Sequence, residues 1–191
     1  MSQTAAATKN RITTKEMAMT ALMAVLIAVC SWISIPAAVP FTLQTFGVAC
    51  AVLILGGRNG CLAMIVYLLL GAVGLPVFSG FKSGIGVLLG TTGGYLIGYI
   101  FLTLIYWAAE RIPTEKKTVR TAVSTAAVTA GLVICYAFGT VWFMIVYTRN
   151  TGSISIAQAL KWCVIPFIPF DLLKIAAAVI VSGRVKRFYV K

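Results

Sequence analysis

The sequence predicts an all-α membrane protein, one bundle of six transmembrane helices with both termini in the cytoplasm. Three observations predict it. Of the 191 residues, 60% are hydrophobic and only 10% charged, a balance foreign to soluble domains. Several apolar runs exceed the roughly 20 residues that a helix needs to cross a bilayer, and the short alternating segments of a β-barrel are absent. The net charge of +12 is segregated at the chain ends and in one connecting loop, as juxtamembrane anchors are. No basic helix interleaved with exposed aromatics is present, which argues against a nucleic-acid surface.

Residues 1–14 are polar, carry Lys9 and Arg11, and read as a cytoplasmic tail without a signal-peptide cleavage pattern. Residues 15–191 form the single transmembrane domain. Thr14 is placed to cap a first helix that starts near Lys15 and ends before Pro36. Ala18, Ala21, Ala24 and Ala28 recur along it, and Ala24 with Ala28 makes a small-xxx-small pair that admits a close neighbour.

Pro36 and Pro40 then break the helix in an uncharged segment holding Phe41, Thr42 and Gln44. Irregular backbone at membrane depth is tolerated where it is buried or lines a cavity. The segment therefore either covers a pocket or is a plain connection. A short helix from about Thr45 to Leu55, a turn at Gly56–Gly60 and a third helix running to Pro76 follow. The two helices make either a tilted pair of spans or a re-entrant hairpin.

Residues 76–84 form a Gly/Ser loop with Lys82. It is not a phosphate loop, because Phe81 separates Gly80 from Lys82 where that motif has Gly and Lys adjacent. The fourth helix carries Gly86, Gly90, Gly94 and Gly98, a glycine every four residues, and reaches Glu110. Such a stripe lets a helix or a ligand touch the backbone, with Thr91, Thr92 and Tyr95 as ligand contacts. After the charged loop 111–120, a fifth helix runs from about Thr121 to Tyr147, with Gly131 and Gly139 as packing positions. The loop 148–155 is polar. The sixth helix, from about Ile156 to Gly183, is interrupted by Pro166 and Pro169, and a basic tail follows.

With six helices, Lys9, Arg11, Lys15, Arg58, Arg111, Lys116, Lys117, Arg120, Arg184, Lys186, Arg187 and Lys191 share one side. The loops of the other side hold Lys82 and Arg149 alone. The positive-inside rule makes the first side cytoplasmic and turns the loops 36–44, 76–84 and 148–157 outward.

Cys30, Cys50, Cys61, Cys135 and Cys163 lie in apolar context, form no CxxC pair, and have no histidine to join them. They read as small buried hydrophobes, with no metal and no cofactor implied. Asp171, the sole aspartate, and Lys174 stand in the apolar last helix. At this spacing they share a face, and an ionisable residue within the membrane marks a binding site or ion path by default. The two prolines before them free backbone carbonyls. Either the pair binds a ligand having polar N–H groups and a carboxylate, or it is an internal salt bridge.

The segments VPFTLQTFGV (39–48), GAVGLPVFSG (71–80), LLGTTGGYLIGY (88–99) and PFIPFDLLK (166–174) together resemble the BioY family. These are the biotin-specific substrate-binding (S) components of energy-coupling factor (ECF) vitamin transporters. The resemblance implies a multi-pass protein of the bacterial cytoplasmic membrane that binds biotin from outside. It implies partners too: a transmembrane coupling protein, met through Ala24 and Ala28, and two cytoplasmic ATPases. It places substrate contacts at Asp171 and Lys174, at the loop residues Phe41, Thr42 and Gln44, and at Ser79 and Lys82. In this reading Lys174 pairs with the biotin carboxylate and Asp171 accepts from the ureido N–H groups, or the two roles are exchanged through water or a third residue. Other readings are an S-component for a different vitamin, a structural membrane subunit, or an embedded enzyme. No nucleophile, histidine or second carboxylate accompanies the pair, which argues against an enzyme.

Overall fold

The computed structural model describes residues 13–37 and 39–189, with side chains through Lys186. Most of the tail 1–14, together with Lys9, Arg11 and Lys191, lies outside the described residues. Helix α1 spans Thr14–Trp32. Its cap is Thr13 and not Thr14: the Thr13 side chain accepts from the Glu16 amide while the Glu16 carboxylate accepts from the Thr13 amide. Thr14 has Lys15 and Glu16 beyond it but no acceptor geometry of this reciprocal kind, which needs the Glu three residues on.

The segment after α1 is a minimal hairpin. Strand β1 (Ser34–Ile35) pairs antiparallel with β2 (Phe41–Thr42), Ser34 opposite Thr42 and Ile35 opposite Phe41. Helix α2 (Gln44–Leu55) follows, then α3 (Gly57–Val73). The expected turn over five residues shrinks to Gly56 alone, which adopts φ +84° so that the chain reverses in one step. Helix α2 is only about 18 Å long, yet ten of its residues are buried. It is the central strut, packed against α1, α3, α5 and α8.

A single 3₁₀ turn, Ser79–Phe81, precedes α4 (Ile85–Leu89) and α5 (Gly93–Ala109). The expected continuous fourth helix is therefore broken at Gly90–Thr92, and its glycine stripe is split. Gly86 faces open space. Gly93 lets the chain fold back, because a Cβ there would stand 1.7 Å from the Leu88 carbonyl oxygen. Gly94 and Gly98 face Trp142 and Cys135 on α6 (Lys117–Asn150), while Gly131 and Gly139 of α6 face Leu102 and Tyr95 on α5. These four glycines form one seam, along which the two helices touch at backbone distance.

Helix α6 is 34 residues long, about 51 Å and well beyond one bilayer crossing. Helices α7 (Ile156–Cys163) and α8 (Ile168–Tyr189) are bent by 42° across a break of four residues that holds Pro166, as the prolines predict. Among the described residues two helices, α1 and α6, are long and apolar enough to span a membrane, or three spans if α7 and α8 count as one. Leu22, Val25, Leu69, Val133, Val141, Leu173 and Ile180 are exposed. Apolar side chains so placed suit a hydrocarbon solvent.

The Ala24–Ala28 pair departs from its expected role. Ala24 is 1% and Ala28 5% exposed, both inside the main core cluster. A partner protein cannot reach them in this conformation, because α1 turns that face inward onto α2 and α3. The outward face of α1 carries Ala18, Ala21, Leu22, Val25 and Val29.

The seam gives a direct test. A Cβ at Gly131 would lie 2.8 Å from the Leu102 Cα, whereas Gly86 has nothing within 4 Å. Gly131→Leu is expected to destabilise the detergent-purified protein by at least about 1–3 kcal/mol in thermal unfolding. Gly86→Ala is expected to stay within about 0.5 kcal/mol of the parent. Equal tolerance at the two sites would contradict the split stripe.

Candidate ligand-binding site

Three loops or breaks and the faces of α2, α5, α6 and α8 converge on one cavity with about 790 Å³ of empty space, its mouth included. The hairpin supplies the first wall. Its pairing presents the Thr42 carbonyl to α8, where the Lys174 ammonium donates to it at 2.7 Å.

The loop 76–84 supplies the second wall, and α1 anchors it. Trp32 Nε1 donates to the Pro76 carbonyl at 2.9 Å and the Ser31 hydroxyl to the Val77 carbonyl at 2.6 Å. Phe78, 1% exposed, sits in the notch left by Gly71 and meets Tyr67 edge-on at 5.6 Å. Gly80 and Phe81 both take positive φ, 70° and 56°. The strained Phe81 is held by stacking on Trp32 at 5.1 Å. The third wall is the α4–α5 break, fixed by Trp142 Nε1 donating to the Gly90 carbonyl at 2.9 Å.

Asp171, 3% exposed, is the polar centre. Lys174 Nζ donates to its Oδ1 at 2.7 Å, and the Tyr136 hydroxyl donates to its Oδ2. Lys174 also lies 4.4 Å over the Phe41 ring. The i, i+3 spacing brings the two charges together, as a shared helix face requires. Around them, Tyr95 pairs with Thr140 at 2.9 Å and Tyr99 with Thr45 at 2.8 Å. Gln44 Nε2 is buried with no hydrogen-bond partner among the described residues. Val39, Phe78, Leu96, Leu132 and Phe167 make the remaining lining apolar.

Of the residues expected from the sequence, Asp171, Lys174, Thr42, Gln44, Ser79, Lys82, Thr92 and Tyr95 all line this cavity. Phe41 does not. Its ring stands behind the wall against Phe167 (4.8 Å) and Phe170 (5.0 Å), where it props Lys174. Thr91 is not part of the lining. Tyr136, Tyr99, Thr45 and Phe78 were not foreseen. The signal for Tyr136 was a phenol midway along an apolar helix, which needs a partner when buried, in a chain with one aspartate.

The arrangement offers an acceptor and a donor side by side at one point, an apolar length, and Lys82 exposed at the mouth. Because Asp171 and Lys174 are bonded to each other, the two ends of an extended ligand cannot be divided between them. With two ammonium groups and one carboxylate in its lining, the cavity carries a net charge suited to a monoanion.

The chain is 42% identical to a biotin transporter BioY of Thermotoga maritima, over 87% of this chain and 92% of that one. It is 36% identical to a probable biotin transporter BioY of Pyrococcus horikoshii, over 90% and 96%. It is 37% identical to biotin transporter BioY2 of Lactococcus lactis subsp. cremoris, over 85% and 83%. The fold is similar to a crystal structure of the S-component for biotin from an ECF-type ABC transporter, with a TM-score of 0.78 over 95% of each chain at 23% identity. Residues 3–191 match the model of the BioY family, and the chain belongs to that family.

Proposed function

We propose that this chain is the biotin-binding S-component of an ECF transporter, capturing the vitamin at the outer face of a bacterial cytoplasmic membrane. The observation that carries the reading is the Asp171–Lys174 pair, 2.7 Å apart within an otherwise apolar cavity. A cyclic urea presents a carbonyl oxygen beside an N–H, so it needs a donor beside an acceptor. The carboxylate keeps unused lone pairs after Lys174 and Tyr136, and the ammonium keeps one N–H after Asp171 and Thr42. Each can therefore take one further bond, Asp171 from the ureido N–H and Lys174 to the ureido oxygen.

This assignment replaces the division of roles in which Lys174 holds the carboxylate. The valerate chain then runs along Val39, Phe78, Val87 and Leu96 toward Lys82 at the mouth. Its four methylenes contribute on the order of 3 kcal/mol on burial. Gln44 also lines the cavity, with the buried Tyr67 hydroxyl beside its side chain.

Six crossings accommodate the helices: α1, α2, α3, α5, α6 and the bent α7–α8 pair. The basic residues at one end of this bundle support cytoplasmic termini, and the loops around the cavity then face outward. The sequence carries no phosphate loop. Energy for release comes from partners, namely a transmembrane coupling protein and two cytoplasmic ATPases, with the whole subunit reorienting in the membrane. The exposed face of α1 around Ala21 and Val25 replaces Ala24 and Ala28 as the surface for the coupling protein.

Isothermal titration of biotin into the purified chain tests the site. Asp171→Asn is expected to weaken binding by about 1.5–3 kcal/mol, one to two orders of magnitude. Unchanged affinity in both Asp171→Asn and Lys174→Ala would refute the assignment. Tyr136→Phe leaves one carboxylate oxygen without its donor and is expected to cost about 1 kcal/mol of affinity in the same titration. Iminobiotin, a cyclic guanidine that turns the ureido acceptor into a donor facing Lys174, is expected to bind at least about tenfold more weakly at neutral pH.

A further inference from the structure

A second cavity, about 630 Å³ with its mouth included, lies between the C-terminal end of α5 and the N-terminal end of α6. Along α5 its nearest approach to the ligand cavity is about 10 Å, since Tyr99 lines one and Tyr106 the other. Its polar lining is Tyr106, Glu110, Arg111, Thr114, Arg120 and Ser124. Glu110 is already engaged, its Oε2 accepting from the Gly57 amide at 2.7 Å. Neither arginine forms an ion pair among the described residues, although Arg111 lies 5.6 Å over the Trp107 ring.

Two guanidinium groups beside hydroxyl donors match the oxygens of a phosphate, which arginine grips with two parallel N–H bonds. Glu115 precedes α6, but cations outnumber it there. Lys116, Lys117 and Arg120 crowd the start of α6, whose first turn has no acidic residue and no side-chain cap. Cations at that end of a helix are disfavoured, and an anion in the adjacent cavity relieves them. Ile112, Pro113 and Val123 line the same cavity, and Ile112 is 55% exposed. An apolar rim on a basic pocket fits a phosphodiester carrying acyl chains better than a free anion. Basic pockets at the cytoplasmic ends of membrane helices take anionic headgroups in this way.

We propose that this cavity is a headgroup site for an anionic phospholipid, with Arg111 and Arg120 holding the phosphodiester. The proposal rests on the membrane reading and not on the identity of the transported ligand. Native mass spectrometry of the full-length protein from micelles with equal phosphatidylglycerol and phosphatidylcholine tests it, with biotin affinity measured on the same samples. The parent is expected to retain phosphatidylglycerol at least about fivefold over phosphatidylcholine, and Arg111→Gln/Arg120→Gln to bring that ratio near one while biotin affinity stays within twofold. No preference in the parent, or an equal preference in the variant, would overturn the proposal. So would an equal loss in Lys116→Gln/Lys117→Gln, which lies outside the lining and would indicate diffuse surface charge. Inorganic phosphate without lipid is a separate arm, and thermal protection by it as large as that by phosphatidylglycerol overturns the lipid assignment. If the double variant also loses biotin binding, Arg120→Lys decides, because it keeps the charge and removes the planar fork. At least a halved preference supports the site, and an unchanged preference refutes it.

Discussion

A carboxylate and an ammonium buried in an apolar bundle impose the constraint that the rest of this structure serves. Neither charge is tolerable alone there; leaving one uncompensated costs about 3–5 kcal/mol, a large share of a typical domain's 5–15 kcal/mol. Asp171 and Lys174 neutralise each other across one helical turn, but their remaining hydrogen-bonding capacity must be met from elsewhere. Tyr136 meets part of it from α6 and the Thr42 carbonyl part of it from the hairpin. Two separate elements are thereby tied to one point on α8. The pair carries little net stability as a salt bridge. Its effect is to fix α6, β2 and α8 in one relative arrangement around a cavity.

The apolar surroundings make that arrangement selective. Phe78 seated against Gly71, Phe167 against Phe41, and the tyrosines with their own threonine partners leave few polar atoms unassigned near the pair. A ligand must bring a donor and an acceptor together at one end and little polarity along its length. The glycine seam between α5 and α6 serves the same end by a different force. Backbone contact at Gly94, Gly98, Gly131 and Gly139 sets the depth at which Tyr95, Tyr99 and Tyr136 reach the cavity.

Much of this was legible in the sequence because it follows from chemistry that is scarce in a membrane. A lone aspartate three residues before a lysine marks itself, and prolines at 166 and 169 announce the bend. The long apolar runs gave α1, α6 and the α7–α8 pair directly. The glycine period misled, since spacing by four persists from Gly86 to Gly98 although the helix breaks at Gly90; periodicity records sequence distance and not continuity of the backbone. Ala24 and Ala28 misled for a related reason. Small residues permit close approach, but nothing in their spacing says whether the neighbour is α2 or another protein. Phe41 and Tyr136 depend on which elements meet in space, which no single segment encodes.

The central claim is that the Asp171–Lys174 pair reads the urea end of the ligand and not its carboxylate. The most direct measurement compares calorimetric affinities for biotin and for biotinamide, which lacks the charged carboxylate, in the parent and in Lys174→Met. If the pair reads the urea, the substitution weakens both ligands by the same factor. A loss confined to biotin, with biotinamide unaffected, would contradict the account and return Lys174 to the carboxylate.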